Sequence, residues 1–443
     1  MCKTKRIGLP YGSWSRLTPG VRQNGGIELH RDVVLVLPNL GVGGAQAVAT
    51  YVAAKLHEDG WNVEIVLLED RPTLIQTVHP NIPVFRLSLQ ELPVTRRTFG
   101  KALRSVVRHL IPIRVREEVY KTMRSPKSRK FSVLVPAAIT QQILLLRWKR
   151  RAKVRRLRRL LEDRQPTTII SFLSNTNIHT IFASRGLESR VVVCERNDVQ
   201  RQKHSLSVEL VRPMVYPQAD LITTNYALDE KTAHNLLGTA AVTELPNPLM
   251  VSRSSSDELR RDQVFLYVGR LTAQKNVEAL IVAAAMISHK VREKGWRIDI
   301  VGDGPSRVKL ERLSSTAGIA DLITFVGHVN NSAINFSASS LLVLPSHYEG
   351  APNVVLEAFA HGLPAIVSST SGAAVGWVNR INPEMVFPTE DPAVLASLMS
   401  EWIDRGGADE SMHKSVRELA VGYEWQNVRD RWYSALDLPI LER

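Results

Sequence analysis

Short, wholly apolar runs alternate along this chain with longer stretches whose apolar positions repeat at helical spacing. Val33-Val-Leu-Val-Leu37 is the first such run, the pattern of a strand covered on both faces. Helical spacing follows to about Glu58, Gly60 lies beyond it, and a second apolar run occupies 62–68. The same order recurs, with strands expected at 168–172, 191–194, 264–268, 297–301, 323–326 and 341–344 and amphipathic helices between them. Alternating strand and helix predicts an α/β protein with parallel, doubly wound sheets.

Open sheets of this kind bind ligands in the loops that follow their strands, and candidate chemistry collects there. The strand at 341–344 ends at Pro345-Ser346, and a loop then carries Glu349 and Gly350. A helix is expected to start near Pro352, since proline suits a first helical turn. Val355, Leu356 and Phe359 would face the sheet, and Gly362-Leu-Pro364 would end the helix. Glu349 then stands at the helix N-terminus and Glu357, seven intervening residues on, about a turn and a half inside. The exposed N–H groups of such an end favour anions, so a phosphate fits between the two carboxylates. Standing alone, the pair fits equally a capping acid and a surface acid.

Other loops break that tie. The strand at 264–268 leads into Gly269-Arg270-Leu-Thr-Ala-Gln-Lys275-Asn276. Arg270 and Lys275 would project from this turn, and two fixed cations suit a diphosphate leaving group that gains charge as its bond breaks. Gly302-Asp303-Gly304-Pro305 follows the strand at 297–301; by itself such a turn asks only for a positive φ. In the first half, Gly43 and Gly44 allow backbone to approach a ligand closely. Their spacing is not that of a dinucleotide fingerprint, so NAD is not expected.

Together these segments, GGAQ, GRLTAQKN, GDGP and the two glutamates in PSHYEGAPNVVLEAFAHGLPAIVS, resemble the retaining glycosyltransferases of family 4. The resemblance covers nearly all of the chain beyond residue 30. It implies the GT-B fold, two Rossmann-like domains facing a central cleft, with a nucleotide-sugar held mainly by the second. By that resemblance Arg270 and Lys275 hold the diphosphate, Glu357 the ribose hydroxyls, and Glu349 hydroxyls of the donor sugar. Gly350, Ala351, Pro352 and Asn353 then belong to the donor-binding loop, and Gly43 and Gly44 approach the phosphates from across the cleft. The resemblance also implies transfer with retention of anomeric configuration and without metal, the cations and the helix N-terminus taking a metal's place. No cofactor is expected, and scattered histidines without ligand spacing agree with that. One departure stands out. Many family members carry a histidine at the end of a mid-domain strand, where this chain has Cys194-Glu195-Arg196-Asn197. Glu195, Arg196 and Asn197 are candidates for the sugar or acceptor pocket, with a salt-bridged strand end as the alternative. His179 reads as structural.

Composition bounds this picture. The 443 residues suffice for two full cores, and 44% hydrophobic with 23% charged residues is ordinary for a soluble protein. Cys2 and Cys194 alone give no disulfide framework and fit a reducing cytoplasm. No secretory signal or membrane-spanning run is expected. The net charge of +14 is concentrated. Residues 96–165 hold 22 lysines and arginines against four acids, while the rest of the chain carries 35 bases and 39 acids. Ile143, Leu146, Val154, Leu157, Leu160 and Leu161 share a helical face among the arginines of RWKRRAKVRRLRRLL, interrupted by Arg150 and Lys153. A basic amphipathic helix suits an anionic membrane surface; it also suits a domain helix with solvated arginines. Without aromatic interleaving or a recognisable module, nucleic acid is not expected.

The expected organisation is an irregular leader (1–30), a Rossmann-like acceptor domain (31–248) with the basic insertion 96–165, and a linker (249–262). A nucleotide-sugar-binding domain (263–422) and a helix crossing back to the first domain (423–443) complete it. The expected function is transfer of a hexose or N-acetylhexosamine from a nucleotide-sugar, a UDP-sugar by the family's habit, to a lipid-linked or growing polysaccharide acceptor. The setting would be the cytoplasmic side of the plasma membrane. An epimerase of the same fold and a catalytically silent membrane scaffold are the alternatives; a phosphorylase would need a lysine-bound pyridoxal phosphate, for which no signal exists.

Overall fold

The buried apolar runs form two parallel sheets. The computed structural model describes residues 32–41, 43–69, 77–87, 152–251, 261–329 and 334–439. In the first sheet β1 (Asp32–Leu37) is central, with five of its six residues buried. It pairs in parallel with β2 (Asn62–Leu67) on one side and β4 (Thr168–Phe172) on the other, Val33 standing opposite both Val63 and Thr168. With β3 (Val84–Arg86), β5 (Arg190–Glu195), β6 (Leu221–Thr224) and β7 (Thr243–Glu244), the order is β3-β2-β1-β4-β5-β6-β7.

Helix α1 (Gly44–Glu58) covers one face of this sheet. Helices α2 (Ala152–Arg164), α3 (Ser174–Ser184) and α4 (Leu206–Val215) cover the other, and α5 (Glu230–Leu237) follows β6. The basic helix read from the sequence is thus described from Ala152 onward, and there its apolar stripe turns inward. Val154, Leu157 and Leu161 are buried against the sheet. Arg158 donates to the carbonyls of Ala183 (3.3 Å) and Arg185 at the end of α3, and Arg164 pairs with Glu64 at 3.2 Å. In residues 152–164, then, the stripe is a packing face, and a membrane could meet only outward arginines such as Arg155 and Arg159. The leader, most of the basic insertion and part of the linker lie outside the described residues.

The second sheet is built alike: β8 (Val264–Val268), α6 (Val277–Met286), α7 (Ser288–Glu293), β9 (Arg297–Val301), α8 (Arg307–Thr316), β10 (Ile323–Gly327), β11 (Leu341–Leu344), α9 (Asn353–Ala360), β12 (Ala365–Ser368), α10 (Ala373–Asn379) and β13 (Val386–Phe387). Its order is β10-β9-β8-β11-β12-β13, and one hydrophobic cluster joins it to its helices, including α11 (Pro392–Asp404) and α12 (Glu410–Val421).

The last helix, α13 (Trp425–Leu436), returns to the first domain. Val428, Trp432, Tyr433 and Leu436 are buried beside α1 and β1. Tyr433 donates to Asp59 at 2.9 Å and Arg431 to the Glu244 carbonyl at 2.8 Å.

In each sheet the strand order reverses at one place, between β1 and β4 and between β8 and β11. Loops that leave adjacent strands at such a point diverge and open a crevice for a ligand.

Candidate active site

At the second-domain switch point the loops after β8 and β11 are bound to each other. His347 N–H donates to the Gln274 carbonyl at 2.8 Å, and Gln274 Nε2 donates to the Tyr348 carbonyl at 3.0 Å. Asn276 ends the first loop in the left-handed conformation, φ 48°, which asparagine tolerates better than most residues. This brings Lys275 Nζ onto Glu349 Oε1 in a short ion pair, with both side chains largely buried. Ser346 donates to the same carboxylate oxygen at 2.7 Å. Ser346 was not a sequence candidate; its place three residues before Glu349, at a strand end, was the available signal.

The GDGP turn supports the first loop from beneath. Leu271 N–H donates to the Asp303 carbonyl at 3.0 Å, and Ser306 N–H to the Leu271 carbonyl at 2.9 Å. Gly302 has φ 134°, and a Cβ there would overlap the Gly269 carbonyl oxygen. This glycine is required by the approach of one loop to the other. Above it the Arg270 side chain is exposed and makes no hydrogen bond or ion pair to a described residue.

Glu357 lies within α9 as the spacing predicted. It is buried, and burial pushes its carboxyl up from 4.5 to about 7. Its carboxylate has no hydrogen-bond partner among the described side chains, although the backbone carbonyl accepts from His361. A buried acid in this condition is set to receive hydroxyl donors from a ligand.

Two helix N-termini meet at this place. Helix α9 starts after Pro352 and α1 after Gly43, and neither has a side-chain cap or an acid in its first turn. Elsewhere Asp229, Asp391 and Asp409 cap α5, α11 and α12. Asn353, first in α9, directs Nδ2 to the carbonyl of Gly44, first in α1, at 3.5 Å. Uncapped ends facing one crevice add their partial positive charges for an anion. Gly43, Gly44 and the loop Gly350-Ala351-Pro352-Asn353 are therefore brought together with Lys275 and Glu349. A Cβ on Gly350 would stand 2.6 Å from Asn225 Oδ1, so the first domain reaches this loop closely.

The Glu195-Arg196-Asn197 segment divides. Glu195 is buried, accepting from Tyr216 and, at 3.0 Å, from Ser174, whose hydroxyl also contacts His204 Nε2 at 3.2 Å. Arg196 turns inward, donating to the Leu245 carbonyl at 2.6 Å with its guanidinium 5.1 Å from the Trp432 ring. Only Asn197 faces the second domain, its backbone lying beside Gly350. His179 is buried and bonds the Asn175 carbonyl at 2.6 Å, a structural placement.

Comparison with known proteins agrees with this geometry. Residues 252–419 match the family model described as Glycosyl transferases group 1. The chain is 24% identical over 278 residues to the GalNAc-alpha-(1->4)-GalNAc-alpha-(1->3)-diNAcBac-PP-undecaprenol alpha-1,4-N-acetyl-D-galactosaminyltransferase of Campylobacter jejuni, covering 62% of this chain and 76% of that enzyme. It is 37% identical over 160 residues to the alpha-D-kanosaminyltransferase of Streptomyces kanamyceticus, covering 36% of this chain and 40% of that one. Among solved structures, HepE of Anabaena in complex with UDP superposes with a TM-score of 0.66 at 15% identity, over 92% of this chain and 99% of that chain. The same protein with UDP-glucose gives the same values. These matches support a glycosyltransferase of GT-B architecture, and the family match falls in its second domain.

Proposed function

We propose that the protein is a retaining, metal-independent transferase that moves a hexose or N-acetylhexosamine from a nucleotide-sugar, a UDP-sugar in the first instance, to a lipid-linked or growing polysaccharide acceptor. The observation that carries the reading is the meeting of two uncapped helix N-termini near the Lys275–Glu349 pair, whose loop also carries the exposed Arg270. That arrangement supplies fixed positive charge where a diphosphate gains negative charge, which lowers the barrier to its departure. In this reading Arg270 and Lys275 bind the diphosphate, Glu357 the ribose hydroxyls, and Glu349 the hydroxyls of the sugar. Gly43 and Gly44 approach the phosphates, and Asn197 lines the pocket from the first domain.

The bond from the anomeric carbon to the phosphate oxygen breaks, and its electron pair leaves with the diphosphate. The acceptor hydroxyl then bonds to the same face of the sugar, and its proton passes to a donor phosphate oxygen. No divalent ion is invoked, because the two cations and the helix ends take its role. Support for donor and acceptor comes from relatives: HepE was solved with UDP-glucose, and the Campylobacter enzyme's name specifies an undecaprenol diphosphate-linked acceptor. A lipid-linked acceptor accords with a peripheral position at the inner face of the plasma membrane, drawn by the surplus of 18 positive charges over 96–165. No helix among the described residues is long and apolar enough to cross a membrane.

The test is transfer from a panel of labelled UDP-, GDP- and ADP-sugars to a bacterial lipid extract in the presence of EDTA. Label entering the lipid phase from one donor, and lost in Glu349→Ala and Arg270→Ala, is expected. Transfer that needs added metal, or survives both substitutions, overturns the reading.

A further inference from the structure

We infer that Asn247 is a positioning residue that ties the donor-loop helix α9 to the first domain and so fixes how the two walls of the cleft face each other. Asn247 follows β7 at the end of the first domain, between Pro246 and Pro248, and is buried. Its carboxamide is engaged on both sides. Oδ1 accepts from Arg196 Nη1 at 3.4 Å, while Nδ2 donates to Asn353 Oδ1 at 2.8 Å and to the Ala351 carbonyl at 3.3 Å. Asn353 passes the connection on through Nδ2 to the Gly44 carbonyl at 3.5 Å. A line of amides therefore runs from the hinge to the first residues of both helices whose N-termini meet at the cleft.

The near end of that line is held firmly. Arg196 also donates to the Leu245 carbonyl at 2.6 Å and packs against the Trp432 ring. Trp432 Nε1 in turn donates to the Pro246 carbonyl at 3.0 Å. Prolines on either side restrict the backbone at Asn247, so its amide has little freedom, and Asn353 inherits that order. This gives the inward-turned Arg196 a purpose: it orients Asn247.

The effect on turnover rests on the reading of this cleft as the donor site; the effect on domain geometry does not. Asn247→Asp keeps an acceptor for Arg196 and adds a charge that pairs with it, yet it cannot donate to Asn353 or Ala351. Asn353→Ala removes the other end from a partly exposed position. With Cys2 replaced by serine, spin labels on cysteines introduced at exposed Lys231 and Arg312 report the interdomain distance in the full, ligand-free chain. The parent protein should give one narrow distribution. Each variant should broaden it, and the double variant should broaden it no further than either single one, because both act on one connection. Asn247→Asp should melt close to the parent temperature while kcat/KM for the donor falls about tenfold, the scale of one lost hydrogen bond. Single variants whose distributions superimpose on the parent, or a double variant that broadens additively, would overturn the inference. Should Asn247→Asp fail to fold, Asn353→Ala decides by the same criterion. Broadened variants of a protein that transfers from no donor would leave the strut standing and remove the donor-site reading.

Discussion

At the scale of single residues, the site joins one acid that is already satisfied with another that is not. Glu349 has a lysine and a serine hydroxyl on one oxygen, whereas Glu357 is buried without a side-chain partner and titrates at about 7. The consequence for stability has a definite sign. Below about pH 4.5 the Glu357 carboxyl is neutral folded and unfolded, and it costs nothing. Between 4.5 and 7 the unfolded chain ionises while the folded one holds its proton, so stability falls; above 7 the loss is constant. One pKa unit corresponds to about 1.4 kcal/mol, which makes the loss a few kcal/mol. Glu357→Gln removes it. Chemical denaturation should find this variant more stable than wild type by about 2 kcal/mol at pH 8 and equal to it near pH 4.5. A gain of the same size at both pH values would mean that the carboxyl titrates in the fold as it does in the unfolded chain. The variant should also bind UDP more weakly, since an amide offers one neutral acceptor oxygen where an ionised carboxylate offers two.

At the scale of elements, the loops after β8 and β9 work as one unit, and Gly302 is where they touch. Gly302→Ala meets both a positive φ and the Gly269 carbonyl, so a loss of about 2–4 kcal/mol is expected. Thermal unfolding should show it, together with weakened nucleotide binding as Arg270 shifts. A melting temperature within a degree of wild type would show that the loops separate freely. Elements of this kind were largely legible in the sequence. The strands β1, β4, β9 and β11 are mostly apolar, and their limits agree with the reading to within one residue. The helix start near Pro352 followed from proline chemistry. The strands β3, β6, β7, β12 and β13 were not read from the sequence; β3, β7 and β13 have only two or three residues, too few to show a period. The orientation of Arg196 escaped for another reason. A strand end gives alternation of side chains but not the helix that will cover one of them, and α13 arrives from far along the chain. Asn247 was equally hidden, its partners lying 104 and 106 residues away.

At the scale of the molecule, the chain's return decides whether two domains behave as one site. Trp432 on α13 is fully buried, donates to the Pro246 carbonyl and lies against Arg196; just before α13 the Tyr423 carbonyl accepts from Leu249 N–H at 2.6 Å and the Tyr423 hydroxyl accepts from Trp377 Nε1 at 2.6 Å. Trp432 therefore joins the first-domain core to the segment that leads into the linker. Trp432→Ala should cost about 3–5 kcal/mol from lost packing, and Trp432→Phe less, since the ring stays while the hydrogen bond to Pro246 goes. The informative difference lies in catalysis. Because Arg196 is oriented by this ring and Asn247 by Arg196, Trp432→Phe should lower kcat/KM for the donor more than its modest loss of stability accounts for at the assay temperature. Steady-state kinetics beside calorimetric melting separates the two effects. If Trp432→Phe transfers sugar as fast as wild type while melting several degrees lower, the helix anchors the fold without governing the cleft.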